Sequence, residues 1–341
     1  MVFDDKPIYI FIWQIPAEPL LYETPMATDW IRRLRMQHLQ LLISLEETGS
    51  VTEAARATFS TQPALSKWLK ELEDDVGAPL FERHARGLTP TAQGRMLLGH
   101  ARRVLSEMDR AQLNLKAMQD GSSYRVVIGT SPASAPNLVP AAIMQFLQRH
   151  PGAQVELQEG TMNELLERLE LGQLDLVVGR LDAYSPRPSL QSEQLYDEAM
   201  RVICRPGHPL TLKDSLSWAD LRSYDWIVWA KSTPIRTKLD MALTRAGQRP
   251  LPYRIESTSL IGNLWLLHYS DMLSIASDRV ADHFTQRRLV VPLNFELNAV
   301  GSLGMCWRDE PHPDPSLPHL LESIRAAAAS QSLTQVIGPQ G

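Results

Sequence analysis

Between residues 39 and 83 the chain reads as two short helical patterns joined by a tight polar turn and followed by a third, and this stretch constrains the fold most. Leu39, Leu42, Ile43 and Leu45 give the first helix an apolar stripe, and Gly49 ends it. Residues 51–57 form a second short helix, in which Ala54 and Ala55 keep the crossing face small. Phe59, Ser60 and Thr61 then turn the chain, with Thr61 or Ser60 placed as N-cap and Pro63 tolerated in the first turn of the third helix. That helix buries Leu65, Leu69, Leu72 and Val76. Its opposite face carries Gln62, Ser66, Lys67 and Lys70 near the N-terminal end. Short polar and basic groups there are what a major-groove reader needs, because that end reaches base edges. An ordinary three-helix bundle with a solvated face has the same periodicity.

The residue types narrow the choice. GSVTEAA at 49–55, TQPALS at 61–66, Leu72-Glu73 and GAPLFER at 77–83 closely resemble the winged helix-turn-helix of LysR-type transcriptional regulators, without a gap over about fifty residues. The resemblance implies contacts to double-stranded promoter DNA from Ser60, Thr61, Gln62, Pro63, Ser66, Lys67 and Lys70. Trp68 departs from the family pattern and has two roles open to it, packing on the helix edge or touching the DNA backbone. Residues 82–90 read as a hairpin wing, on which Arg83 and Arg86 project guanidinium groups suited to phosphate or the minor groove.

Charge supports a separate head. The whole chain carries −5, yet residues 31–119 hold 13 Lys+Arg against 10 Asp+Glu, a balance of +3. Residues 1–30 and residues 120–341 each come to −4. A locally basic module on an acidic chain suits a DNA-binding head with a sensor body. Residues 1–33 are expected to form a poorly structured extension. The apolar run at 8–15 is too short to span a membrane, and Asp4 and Asp5 replace the basic start of a signal peptide. It is read either as an upstream addition, with Met26 and Met36 as alternative starts, or as a flexible tail. Cys204 and Cys306 are too few for a disulfide framework and suit a reducing cytoplasm; a redox-sensing pair is the rival reading.

After the wing, a helix runs without proline to Gly121. Leu97, Ala101, Val104, Met108, Ala111, Leu115 and Met118 repeat at spacings of four and three, the pattern of a coiled-coil seam. Residues 91–120 are therefore expected to dimerise, a rod of this length being unable to cover its own stripe. A dimer or tetramer is expected, with RNA polymerase as a further partner.

From residue 124 strands and helices alternate in a βαβαβ order, which predicts a parallel sheet covered on both faces. The pattern restarts after residue 203. Two α/β lobes follow, one of residues 124–200 and 299–329 and one of residues 201–298, with residues 330–341 as a flexible tail. The fold class is α/β: an all-α winged head, a linker helix and a two-lobed body that resembles the family's effector domain and periplasmic solute-binding proteins. Hydroxyl-rich turns before helices mark the cleft: Thr130, Ser131 and Ser134; Thr161; Ser232, Thr233, Pro234 and Ile235; and Thr258. Such turns hold an anion or polyol at positive helix ends, or simply cap the helices. They contain no carboxylate, and Arg180 offers a counter-charge, so a small anionic or hydroxylated effector is expected.

Two rivals differ in class. An enzyme would need a nucleophile or cofactor motif, and the chain has no GxSxG, GxGxxG or HExxH; His208, between Gly207 and Pro209, reads as a turn residue. A solute-binding protein without a regulatory role would need the body alone, and the head is left unexplained. The reading is a ligand-responsive, cytoplasmic transcription factor that needs no cofactor.

Overall fold

The computed structural model describes residues 30–336 apart from residues 86, 120, 123, 183, 184, 232 and 311–313, with backbone alone past residue 330. The chain divides into two compact units at Leu98/Gly99.

The first unit is the head: α1 (Trp30–Arg33), α2 (Met36–Thr48), α3 (Val51–Ala57), α4 (Gln62–Val76), β1 (Phe81–His84) and β2 (Gly87–Pro90). Helix α2 ends where Gly49 enters the left-handed region at φ 61°, which glycine adopts without strain. Ser50 then caps α3 by accepting from the Glu53 amide, and Thr61 caps α4 by accepting from Ala64. Leu42, Leu45, Ala54, Leu65, Leu69 and Leu80 form one fully buried core. The Gly49 carbonyl accepts from Leu88 at 2.7 Å, which ties the wing to the helices. Gly87 permits that approach, since a Cβ there would lie 2.7 Å from the Gly49 oxygen. Glu73 Oε1 accepts from the Leu80 and Phe81 amides, fixing the first wing strand against α4. Residues 30–33, placed in an unstructured extension by the sequence, form a helical turn because Trp30 packs on the head core.

Helix α5 (Ala92–Gln119) has 28 residues and would extend about 42 Å at 1.5 Å per residue. Within the second unit, its Arg110 lies between Asp175, at 2.5 Å, and Asp314, at 3.1 Å.

The body follows as β3 (Arg125–Thr130), α6 (Leu138–Arg149), β4 (Gln154–Glu159), α7 (Met162–Glu170), β5 (Leu176–Arg180) and β6 (Leu190–Cys204). Then come α8 (Trp218–Arg222), β7 (Trp226–Trp229), α9 (Pro234–Arg245), β8 (Tyr253–Ser257), α10 (Leu260–His268), β9 (Ser274–Ser277), α11 (Asp278–Thr285), β10 (Val291–Pro292), β11 (Val300–Arg308) and α12 (Ser316–Val336). Strand β3 pairs in parallel with β4 and β5, as its apolar, doubly covered run requires. Val126 and Ile128 pack under α6 and α12 on one face; Val127 joins the α7 leucines on the other.

The sheet is mixed rather than wholly parallel. Strand β11 returns from the second lobe and so enters antiparallel to β5 and β6. The 15 residues of β6 serve both lobes, since residues 200–203 pair with β9 in the second. At the crossing Ala199 pairs with Val300, and Met200 donates to the Ala299 carbonyl at 2.8 Å. Trp226, Ile227, Leu239, Leu264 and Leu273 centre the second lobe's core. Helix α12 continues to Val336, past the point where a tail was expected, because residues 326–336 contain no Gly or Pro to stop it.

Candidate functional site

Two surfaces stand out. On the head, the amphipathic pattern of α4 leaves Gln62, Pro63, Lys67 and Lys70 exposed opposite buried Leu65, Leu69 and Leu72. Gln62 Nε2 donates to Ser66 Oγ at 2.9 Å, and Lys67 lies 3.8 Å from Glu71. A groove bounded by Ser66, Lys67 and Lys70 on α4 and by Arg83 on the wing brings four of the expected contact residues together. Trp68 is half-buried and packs on the head core, its ring 4.9 Å from that of His38. Phe59, in the turn, is fully exposed with φ 53°, a left-handed conformation uncommon for an aromatic residue.

On the body, a cavity of about 710 Å³ is lined from both lobes. The first lobe supplies Ser131, Thr161, Glu164 and Arg180; the second supplies Trp229, Thr233, Pro234, Ile235, Thr258 and Ser277. Thr161 accepts from the Glu164 amide while its hydroxyl donates to Glu164 Oε2 at 2.8 Å, a reciprocal cap that holds the Glu164 carboxyl below its ordinary range. Arg180 is buried, and its Nη2 lies 2.7 Å from Glu198 Oε1. Burial pushes the Glu198 carboxyl up, opposed by Arg180. Asp182, beyond the end of β5, accepts from the Ser302 amide at 2.7 Å and meets Lys238 of α9 at 3.1 Å, an ion pair between lobes.

Residues 36–95 match the family model described as bacterial regulatory helix-turn-helix protein, lysR family, and residues 119–329 match the LysR substrate binding domain. The chain belongs to the LysR family. The HTH-type transcriptional regulator GbpR of Azospirillum brasilense is 32% identical over 312 residues, covering 90% of this chain and 91% of the relative. PcaQ of Agrobacterium fabrum (strain C58 / ATCC 33970), also named an HTH-type transcriptional regulator, is 32% identical over 87% of this chain and 96% of its own length. Two solved structures share the fold at TM-score 0.60. CbnR, a LysR family transcriptional regulator, is 19% identical over 86% of this chain and 99% of its own. Full-length CbnR complexed with its target DNA is 20% identical over 86% and 100%. As a LysR-family protein the chain is a DNA-binding transcriptional regulator with an effector-binding body, and it is not an enzyme.

Within this LysR-family body, the cavity gathers Ser131, Thr161, Arg180, Thr233, Pro234, Ile235 and Thr258 of the residues expected there. Thr130 and Ser134 are absent from its lining. Their hydroxyls lie 2.9 Å apart, and Ser134 donates to the Val178 carbonyl at 2.7 Å, so Ser134 ties the β3 turn to β5 while Thr130 bonds within the turn. Ser232 and, on the wing, Arg86 lie outside the described residues. The cavity is not free of carboxylates: Glu159 and Glu164 line it. Trp229 and Ser277 were not anticipated. Ser277 sits at the end of β9 and caps α11 by accepting from Val280, the same strand–Ser–helix signal that marks the other turns.

The linker stripe is split. Ala101 is buried within the chain and Leu97 packs on the head core, which removes both from a free seam. Val104, Met108, Ala111, Leu115 and Met118 are exposed. The two cysteines lie in the cores of different lobes, and burial pushes each thiol up to about 12, so neither is poised as a redox thiolate.

Proposed function

We propose that α4 enters the major groove of promoter DNA and that the cleft between the lobes takes the small-molecule effector that sets the regulator's activity. The observation that carries this is the exposed polar N-terminal half of α4 beside the Arg83 wing, both packed on one head core. Gln62, Ser66 and Lys67 are in position to read base edges, with Ser60, Thr61 and Pro63 at the amino end and Lys70, Arg83 and Arg86 as backbone contacts. The exposed stripe on α5 supports pairing with a second copy, as a dimer or as a tetramer built from such pairs. RNA polymerase is the further partner this role requires, and the cytoplasm its compartment; no described helix is long and apolar enough to cross a membrane.

The test compares two variants on the site selected from random duplexes and on unselected DNA. Gln62→Ala should cost about 1–3 kcal/mol on the selected site and little elsewhere. Arg83→Ala should weaken both alike and lower the salt slope by about one. Identical profiles for the two variants would refute this division of roles.

A further inference from the structure

We infer that Arg110 of α5 and Asp175 of the first lobe form the joint through which the state of the cleft reaches the linker helix, and that this joint is built to open. This rests on the reading of the cleft as the effector site, and it names the residues that carry its signal.

Helix α5 turns a polar side to its own body. Glu107, Arg110 and Asn114 fall on one face at spacings of three and four, while Val104, Met108, Leu115 and Met118 stay exposed on the neighbouring one. The Arg110 side chain is 13% exposed and that of Asp175 5%, so their contact is largely dry. Arg308 donates from Nη1 to the Leu169 and Leu174 carbonyls, at 3.2 and 2.8 Å, and its Nη2 lies 3.5 Å from Glu107. Gly172 makes room for that carboxylate, since a Cβ there would lie 2.6 Å from Glu107 Oε1. Asn114 Oδ1 is buried without a hydrogen-bond partner among the described residues, a costly position for an acceptor.

Such a face is held differently from an apolar one. Opening an apolar contact forfeits its buried area outright, whereas the attraction within a buried ion pair is largely offset by the hydration that both charges regain. The joint can therefore part at small net cost, provided that both partners reach water together.

The second observation is what Asp175 is tied to. Its Oδ1 meets Arg110 at 2.5 Å, and its Oδ2 accepts from the Val127 amide at 2.7 Å. Its own amide donates back to the Val127 carbonyl at 2.8 Å. Val127 belongs to β3, which runs directly into Ser131, a residue of the cavity wall. One carboxylate thus grips the linker helix with one oxygen and the cleft's own strand with the other. Asp314, the second partner of Arg110, accepts from the Ser316 amide and hydroxyl at the start of α12, which packs under the same strand. A shift of β3 as the lobes close would be felt at Arg110 with no further intermediary.

Coupling between two sites is reciprocal, so it can be read from the DNA end without an effector. The full chain is compared by amide exchange, free and bound to the duplex selected from random sequences. In the parent, DNA should change exchange at residues 131–134 and 161–164 by about fivefold or more. The double variant Arg110→Met, Asp175→Asn leaves neither charge of the pair orphaned and keeps an acceptor for Val127. It should bind the same duplex and lose the change at the cleft. Arg110→Lys keeps the charge without the fork that bridges two carboxylates, and should retain only part of the change with the fold kept. Arg325→Met removes an ion pair with Glu193 elsewhere in the body and should behave as the parent. A change that persists in the double variant, an Arg110→Lys equal to the parent, or a loss in Arg325→Met would each overturn the joint while leaving the cleft coupled to DNA. A parent in which DNA changes nothing at the cleft removes both readings.

Discussion

His208 illustrates how a turn residue carries stability. It is fully buried; its Nδ1 accepts from the Leu210 amide at 3.1 Å and its Nε2 lies 3.1 Å from the Asp271 carbonyl, which fixes the neutral ring with its proton on Nε2. Burial lowers its pKa from the ordinary 6.5. The unfolded chain therefore takes up a proton at a pH where the folded one does not. The stability linked to this ring is fully present above the unfolded pKa of 6.5 and is lost as pH falls through 6.5 towards the folded value. The melting temperature should fall between about pH 7.5 and about pH 5.5, and His208→Gln, though less stable, should show a shallower fall. An equal slope in both proteins would contradict this. The sequence made His208 legible as a turn residue between Gly207 and Pro209, because turn chemistry is local. Its burial was not legible, since the ring packs near Tyr224, which lies in a different part of the chain.

At the scale of single elements, α5 separates what periodicity can tell from what it cannot. Its four-and-three spacing correctly marks a helix, but it cannot say which neighbour covers which position. Ala101 is taken up inside the chain, whereas Leu115 and Met118 remain 62% and 68% exposed. An exposed apolar stripe of this kind invites a partner. Leu115→Asp would place a charge in that contact, so the variant should sediment as a smaller species and bind DNA more weakly. Sedimentation identical to the parent would show that the stripe stays bare. The head's helices were legible for a similar local reason, since Gly49, Ser50, Thr61 and Gly77 punctuate them. Helix α11 was missed, because the eight residues from Asp278 to Thr285 follow a strand without a Gly or Pro between them. The first half of the long β6 was not legible, since it alternates polar and half-buried residues with little apolar signal.

For the whole molecule, the body's two lobes share strands and meet across the cleft through Lys238 and Asp182. Removing that ion pair by Lys238→Met should favour the open arrangement and leave Asp182 less well paired. Amide exchange at residues 131–134 and 233–237 should quicken, and effector affinity should fall with the closed population. Exchange at the parent's rate would mean that the pair does not hold the lobes. The sequence announced two lobes through the restarted strand–helix pattern, and it announced most of the cleft because Ser and Thr precede helices for local reasons. It could not show that Thr130 and Ser134 face inward, or that Arg180 meets Glu198 on a strand 18 residues away. The crossing itself carries a mechanical consequence. Because β6 runs through both lobes and is bonded to the returning chain where the Met200 amide donates to the Ala299 carbonyl, just before β11, the lobes are not free to slide or detach independently. What remains is bending and twisting of a single ribbon, close to one degree of freedom. Ligands of quite different shape would then register as positions along one coordinate, and the cleft's lining can diverge between relatives without any redesign of the readout.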